Sequence, residues 1–426
     1  MTTSLCSPRN RLICRAFVAI FALTSLTTIC HIAAAAELAE QAKSLRMAPA
    51  DAAFYSSSLR LQEQLDSFLE SNAYSRLMQI QFVQLVKGQI EFQWQQPTLP
   101  QVKMLREYVD SPEGQDAIAV LKEMFADEVF LYGGNDEIEW LQLYKELTSI
   151  QQTARLEAQA DGEEPEDMLS KRLLEIFEER ADDYSVPTMV WGFRIKDADR
   201  AEQQLDTVHG HLRSLLDDQR PELSAHLQRD QIGGHEFLTL RLDGSMIPWD
   251  QLRQEAEDVS QEDFDKWREV VSKKTVAVAL GVIDEYVLLS IGESTENLEN
   301  FGQGPFLDDH VAIKRLEKHA GERVVSITYL SEEIAKNLSS PEKTISDLAN
   351  SADVALEQAE VDEEQRKKIV ADIKDLNLAK YMPSPGETSA IVFLTDRGYE
   401  GFQYQTGKRP MMDSSKPLAI LNHLGG

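Results

Sequence analysis

The chain has 426 residues, of which 43 are Lys or Arg and 72 are Asp or Glu, giving a formal net charge of −29 at pH 7. Binding to nucleic acid or to an anionic membrane requires a basic face that releases counterions, and so acidic a chain repels phosphate groups. Composition therefore argues against both partners, while the length allows two or three domains with ordinary hydrophobic cores.

The N-terminus has the order of charge, apolar run and small residues that is typical of a secretory signal peptide, here over residues 1–36. Three arginines are followed by an apolar run over residues 16–29, and alanines at 34–36 offer a cleavage site. A membrane anchor is the alternative, but the run contains polar residues and is shorter than the ~20 apolar residues that a spanning helix needs. A lipid anchor on Cys30 is a third possibility, although lipoprotein signals want a small residue where Ile29 stands.

All three cysteines, Cys6, Cys14 and Cys30, lie inside this predicted signal peptide. After cleavage the mature chain holds none, so thiol catalysis, disulfides and cysteine-ligated zinc are not expected. Cleavage also leaves 40 basic against 72 acidic residues, a net charge near −32. We therefore predict a secreted or periplasmic protein that is held together by its apolar core and has no stable membrane span.

Three segments begin with a short β-rich run that leads directly into an amphipathic helical pattern. They start at Ala52, Thr188 and Arg323. Asp197 and Ser331 stand where the helices of the second and third segments need an N-cap. The shared order of strand, helix and further helices predicts a degenerate repeat.

Two hairpins are predicted downstream, in "KTVAVALGVIDEYVLLSIGES" and "SAIVFLTDRGYEGFQYQTG". Strands that return through hairpins form mixed or mainly antiparallel sheets. The predicted fold class is α+β, with such sheets, helices packed on one face and degenerate repeated strand-helix-hairpin units.

The predicted organisation after the signal peptide has four parts. They are a helix-rich N-terminal unit (37–156) containing the strand "EVFLYGG", an acidic linker or loop (157–168), a central α+β unit (169–320), and a C-terminal α+β unit (321–426). The last part ends in the apolar run "KPLAILNHLGG", which either docks on the preceding sheet or belongs to a truncated copy of something longer.

The chain resembles a family of exported bacterial proteins of unknown function. The stretches that carry the resemblance are "MAPADAAFYSSSLRLQEQL", "VAVALGVIDEYVLLSIGES" and "SKPLAILNHLGG". None of them is a catalytic signature. The resemblance implies a fold, an exported location and more chain after the last segment, and it implies no activity.

Several stretches resemble catalytic motifs in part, but each lacks a residue or a spacing that the motif requires. "HEFLT" at His235 lacks the second histidine of a zinc-protease helix and looks like a strand. "GFQYQTGKR" has the wrong glycine spacing for a phosphate loop, and "GQGPF" has only two glycines of a dinucleotide fingerprint. No Gly-x-Ser-x-Gly occurs. The sequence therefore assigns no catalytic residue, no cofactor-binding residue and no metal ligand.

Histidines and paired carboxylates are the remaining chemical candidates. Four histidines, at 209, 211, 226 and 235, fall in one module, but no ligand spacing fixes a metal there. Asp182-Asp183, Asp217-Asp218 and Asp308-Asp309 are adjacent acidic pairs of the kind that a chain with 72 acidic residues produces by chance. A groove lined by Trp249 and Trp267 for a peptide or sugar is a further hypothesis.

The sequence favours an exported, non-catalytic binding or structural protein of the periplasm or cell envelope. Its partner is an unknown protein, peptide or envelope component, and its oligomeric state stays open. The alternative is a secreted hydrolase with a dispersed active site, in which Asp308, Asp309 and His310 are the named candidates.

Overall fold

The computed structural model describes residues 38–134, 185–255, 260–338, 341–359, 361–375 and 384–407. The predicted signal peptide (1–36), the acidic linker (157–168) and the C-terminal apolar run lie outside these residues. The described residues belong to two compact units. The first comprises 38–134, 185–329 and 389–404; the second comprises 330–338, 341–359, 361–375, 384–388 and 405–407.

The first unit is built on one antiparallel sheet of ten strands, in the order β10-β9-β8-β1-β2-β3-β7-β6-β5-β4. The strands are β1 (Phe54–Leu59), β2 (Glu128–Gly133), β3 (Met189–Arg194), β4 (Leu227–Ile232), β5 (His235–Asp243), β6 (Thr275–Ile283), β7 (Tyr286–Gly292), β8 (Val324–Leu330), β9 (Thr388–Thr395) and β10 (Gly398–Gln405). The fold is therefore α+β with an antiparallel sheet, as predicted.

Helices fill the connections between the strands. They are α1 (Leu38–Gln41), α2 (Leu61–Glu70), α3 (Asn72–Leu77), α4 (Gln81–Gln95), α5 (Pro100–Asp110), α6 (Pro112–Met124), α7 (Ala198–Gln219), α8 (Pro221–Ser224), α9 (Trp249–Glu255), α10 (Gln261–Val271), α11 (Glu296–Glu299), α12 (Val311–Lys314), α13 (Glu332–Leu338), α14 (Pro341–Gln358) and α15 (Glu363–Asp375). Short 3-10 turns lie at Lys43–Arg46, Gly244–Met246, Leu307–Asp309 and Glu317–His319.

Local sequence signals place several of these elements as predicted. All three strand-to-helix starts are present, at β1 and α2, β3 and α7, and β8 and α13. Asp197 caps α7 by accepting a hydrogen bond from the backbone N–H of Arg200 (3.0 Å), and the Ser331 hydroxyl accepts one from the N–H of Ile334 (3.3 Å). Both predicted hairpins are present as β6/β7 and β9/β10. The duplication of whole units stays a prediction.

The larger core lies on the sheet face that carries Tyr55 and Phe130, here called the inner face. Two chain segments cover it, one around residues 38–52 and one around residues 298–320. A hydrogen bond from the N–H of Leu307 to the carbonyl of Ala48 (2.9 Å) joins these segments to each other. Apolar burial on this face supplies the main driving force for folding of the first unit.

A smaller core lies on the opposite face, where α6 and α7 pack. Val120 of α6 and Ala201 of α7 are buried against Val282 and Val287 of the β6/β7 hairpin. The long helices of this core therefore share one face of the sheet.

Two phenylalanines of the inner face lie over glycines on neighbouring strands. Phe130 is directly opposite Gly192, and Phe237 is directly opposite Gly281. A Cβ added at either glycine would overlap the facing ring. The rings therefore occupy space that only glycine leaves free.

In the second unit, α14 and α15 pack against each other as a helical hairpin. The Arg366 guanidinium pairs with Asp353 (3.2 Å) and Glu357 (2.6 Å) of α14. Asp362 caps α15 by accepting from the N–H groups of Glu364 (3.1 Å) and Gln365 (3.3 Å).

Candidate interaction surface

Helices α4 and α5 form a hairpin over residues 81–110, which we call the arm. Arg106 of α5 reaches back to the end of α4, where its Nη1 donates to the carbonyls of Trp94 (3.0 Å) and Gln95 (2.9 Å). A guanidinium at the C-terminus of a helix satisfies free carbonyls and matches the helix dipole. Pro100 occupies the first turn of α5, where its missing N–H costs nothing. The arm is thus an ordered helical element.

The arm is joined to the sheet through α6. Ser111 caps α6 by accepting from the N–H of Gly114 (3.0 Å), and a Cβ on Gly114 would overlap the carbonyl oxygen of Tyr108. This glycine therefore lets α5 and α6 approach closely. The Tyr108 ring also lies edge-on to His211 of α7, with ring centroids 6.1 Å apart.

The arm exposes large apolar side chains to solvent. Phe82 is 72% exposed, Leu85 68% and Met104 66%. The remaining exposed apolar residues of the arm are Val86, Ile90, Phe92, Leu99, Leu105 and Tyr108. Scattered exposed apolar residues are normal, but a concentration of this size on one element marks an interaction site.

The orientation of α4 is the reverse of an ordinary surface helix. At the helical step of about 100° per residue, Phe82, Leu85 and Val86 share the outward face with Gln89. The charged residues of α4, Lys87 and Glu91, lie on the opposite side, and their side chains are 36% and 39% exposed. A helix whose apolar stripe faces solvent has a surface that a partner can bury.

Every charged residue of the arm is paired with another charged residue of the arm. The pairs are Lys87 with Glu91 (3.8 Å), Lys103 with Glu107 (3.9 Å) and Arg106 with Asp110 (3.8 Å), all at i,i+4 spacing. Three basic and three acidic residues give the arm no net charge, whereas the chain carries −29. The apolar surface is therefore also an electrically neutral one.

A second feature, on the inner face, is a buried polar cluster around Glu128. This residue has no exposed surface. Its Oε1 accepts from the Ser44 hydroxyl (2.5 Å), its Oε2 contacts the Tyr286 hydroxyl (2.5 Å), and the Tyr55 hydroxyl lies 2.7 Å from Ser44 Oγ. Because Ser44 belongs to the segment that covers the sheet, the cluster ties that segment to β1, β2 and β7.

Burial raises the pKa of Glu128 above its usual range, and the hydrogen bonds from Ser44 and Tyr286 oppose that shift only in part. The pKa values of Tyr55 and Tyr286 are also raised, first by burial and then by the nearby Glu128 carboxyl. These groups favour their neutral forms in the folded protein. The cluster is closed to substrate because Glu128, Tyr55 and Tyr286 expose no surface.

An outer ring of charges borders the cluster. Glu285 pairs with Lys43 and, through Oε2, with Arg194 Nε (2.9 Å), while Arg194 Nη1 also contacts Asp127 (3.0 Å). These cations lower the pKa of Glu285 despite its partial burial. The ring adds a second attachment between the covering segment and the sheet through Lys43.

The buried tyrosines give the protein a stability loss at alkaline pH. Burial raises the pKa of Tyr55, Tyr132 and Tyr286 above the ordinary value near 10. An unfolded chain releases these protons above pH 10 and the folded chain keeps them, so the free energy of unfolding falls as pH rises through that range. In an absorbance titration of tyrosinate we expect Tyr55, Tyr132 and Tyr286 to ionise only on unfolding. Ionisation of all tyrosines in the folded protein contradicts this prediction.

Of the three residues named for a hydrolase, Asp308 and Asp309 line one small cleft, and His310 is not among the residues that line it. Asp308 pairs with Arg46 (3.2 Å) and Asp309 with Lys314 (2.7 Å), beside this cleft of about 130 Å³. His310 accepts from the N–H of Ala312 (3.3 Å), and the centroids of its ring and that of Tyr329 are 4.9 Å apart. Each of the three side chains therefore has its own partner. Asp217 and Asp218 are exposed, and Asp182 and Asp183 lie outside the described residues.

The four histidines that are clustered in the sequence make different contacts in the structure. His209 Nδ1 accepts from Arg229 Nε (3.3 Å), His211 contacts Tyr108, and His235 begins β5. In the part of the chain that the structure describes, no group of three or more His, Cys, Asp or Glu residues is arranged to hold a metal ion.

His226 lines an open cleft of about 440 Å³ at the ends of β5, β6 and β7. Arg241 in this cleft pairs with Asp230 (2.8 Å), and hydrogen bonds from Ser245 lower the pKa of Asp243. The cleft therefore mixes apolar and polar side chains, and its Arg241 is matched by a carboxylate.

The two tryptophans proposed to line a groove differ in exposure. Trp249 is buried, donates its ring N–H to the carbonyl of Gly244 (2.9 Å) and packs against Phe264. Trp267 is 41% exposed on α10. Neither lines the cleft at the ends of β5–β7, and Trp249 serves as a core residue.

None of the helices among the described residues is long and apolar enough to cross a bilayer. No protein-family model, no curated protein and no solved structure matches this chain. The resemblance to exported bacterial proteins of unknown function therefore stays a prediction.

Proposed function

We propose that the chain is an exported, non-catalytic binding protein of the periplasm or cell envelope, and that the arm is the surface through which it binds. The predicted signal peptide supports export. The observation that carries the binding role is the outward face of α4, where Phe82 and Leu85 are mostly exposed and no charged residue is present.

The chemistry of the arm indicates the class of partner. Its outward face combines apolar side chains with the exposed amide of Gln89. Amides need hydrogen-bond partners when they are buried, which a protein surface supplies and hydrocarbon chains do not. The arm has no excess of basic residues with which to bind phosphates. It therefore fits an uncharged, apolar protein surface, with helix-to-helix packing as the mode of recognition.

Site-specific photo-crosslinking in the producing cell tests this role. A benzophenone side chain is placed at Gln89 on the outward face of α4, and in a matched control at Val311, which is 62% exposed on α12 and does not belong to the arm. We expect a discrete crosslinked protein with the Gln89 probe and none with the Val311 probe. The absence of an adduct at Gln89 overturns the binding role of the arm. Turnover of a broad panel of hydrolase substrates by the purified protein overturns the non-catalytic assignment.

A further inference from the structure

We infer that the partner of the arm is a second copy of this chain, so that two arms pack face to face in a two-fold symmetric dimer. This inference rests on the proposed function, because it identifies the protein that covers the surface assigned there. A two-fold contact uses the same patch on both subunits and therefore needs a surface that is complementary to itself. The arm meets that requirement in charge, in area and in shape.

Charge is the first argument. Two chains of net charge −29 repel each other, and most faces of either chain would add like charges to the contact. The arm is neutral because its six charges are paired internally at i,i+4 spacing. Two arms can therefore meet without juxtaposing unpaired charges of the same sign. The surface has no net charge with which to attract a strongly charged partner.

Area is the second argument. Nine apolar side chains of the arm are between 38% and 72% exposed. At about 100 Å² each they offer on the order of 900 Å², which is close to the roughly 800 Å² that each partner buries in a stable interface.

Shape is the third argument. The arm is a layer of two helices, and among the described elements α4 packs substantially against α5 alone. A single layer of helices has one face without a partner, and a second layer completes a four-helix bundle. In such a bundle Phe82 and Leu85 of each copy enter the space between the layers. The remainder of α4, including Lys87 and Glu91, stays outside.

The experiment measures the oligomeric state of the purified chain by light scattering and sedimentation over a wide concentration range. We expect a dimer for the natural chain and for Val311→Glu, which adds the same charge outside the arm. Leu85→Glu buries a carboxylate in each of the two copies. We expect each buried charge to raise the dissociation constant of the dimer more than tenfold. Leu85→Glu should therefore raise it by about 100-fold or more. Circular dichroism and thermal unfolding of Leu85→Glu check that the fold is retained, and Phe82→Glu provides an independent second variant.

Three results overturn the inference. One is a natural chain that stays monomeric at every concentration, and another is a dimer that persists in both Leu85→Glu and Phe82→Glu. The third is a Gln89 crosslink to a different protein, which leaves the proposed binding function standing and removes only the second copy as the partner. A crosslinked species with twice the mass of the chain supports both proposals.

Discussion

Glu128→Ala is expected to lower the free energy of unfolding by about 3–5 kcal/mol, because it removes the carboxyl to which the buried hydroxyls of Ser44 and Tyr286 donate and opens a cavity. Both hydroxyls are 2.5 Å from the Glu128 carboxyl and have no exposure through which water could replace it. Chemical denaturation of the purified protein measures the effect.

Glu128→Gln keeps the size and shape of this side chain but removes its ionisable group. The Gln oxygen can accept from Ser44 and the Gln amide can donate to the Tyr286 oxygen, so the loss is expected to be about 1 kcal/mol or less near pH 4. An unfolded Glu releases its proton near pH 4.5, whereas burial raises the pKa of the folded Glu128. The natural protein therefore loses stability as pH rises above 4.5, up to the folded pKa, and the Gln variant lacks this loss.

The opposite sign is expected for Glu285, whose pKa is lowered by Lys43 and Arg194. Its contribution is present above pH 4.5 and disappears as pH falls through the folded pKa. Glu285→Gln therefore serves as the control. It is expected to remove the loss of stability at acid pH that Glu285 causes and to keep the loss of stability above pH 4.5 that Glu128 causes. Parallel pH profiles of the natural protein and Glu128→Gln would contradict the assignment of the buried carboxyl.

Phe130→Ala is expected to cost about 3–5 kcal/mol of stability, which is typical of a phenylalanine removed from a well-packed core. Phe130 is 1% exposed and lies edge-on to Tyr286, with ring centroids 5.5 Å apart. Gly192→Ala alone is expected to cost about 1–3 kcal/mol, because the new methyl group would overlap the Phe130 ring.

The double variant tests whether ring and glycine form one unit. With the ring removed, the Gly192→Ala methyl group fills part of the cavity, so the second substitution is expected to be neutral or stabilising in the Phe130→Ala background. The coupling energy from denaturation of all four proteins should then be about 1–3 kcal/mol. Gly88→Ala is the matched control, since a Cβ there meets nothing within 4 Å and an exposed helical Gly→Ala stabilises by about 0.5–1 kcal/mol. Additive losses would show that the two positions are independent.

The sequence predicted those elements whose signals are local. Strands β6 and β7 are β-rich runs that turn at Asp284, inside the turn predicted over residues 281–285, and the capping role of Asp197 follows from its position before a helical pattern. The pairing of β3 with β7 and of β8 with β1 was not predicted, because the order of strands depends on contacts between residues far apart in the chain.

Strand β4 was also missed, because Gln228, Arg229 and Asp230 make it polar. The signal that could have found it is the pair Gly233 and Gly234, both with positive φ, which forms the tight turn to β5.

From the sequence, the buried cluster could be predicted in part, whereas the apolar pattern of the arm did not mark it as exposed. In β2, residues 128, 130 and 132 share one face, so the period of two places Glu128 beside Phe130 and Tyr132. The apolar stripe of α4 has the same pattern as a stripe that faces a core. Periodicity shows that a helix has an apolar face, but it does not show what covers that face. Only the self-paired charges of the arm distinguish it in the sequence.

None of the residues 81–110 is buried, and neither hydrophobic core contains any of them. The chain segment that contains the arm begins after β1 and ends before β2. These two strands pair directly, with Leu59 opposite Glu128 at the base of the segment. Mutations can therefore accumulate in this hairpin without disturbing the ten-stranded scaffold, so that recognition can diversify in evolution while the architecture is inherited unchanged.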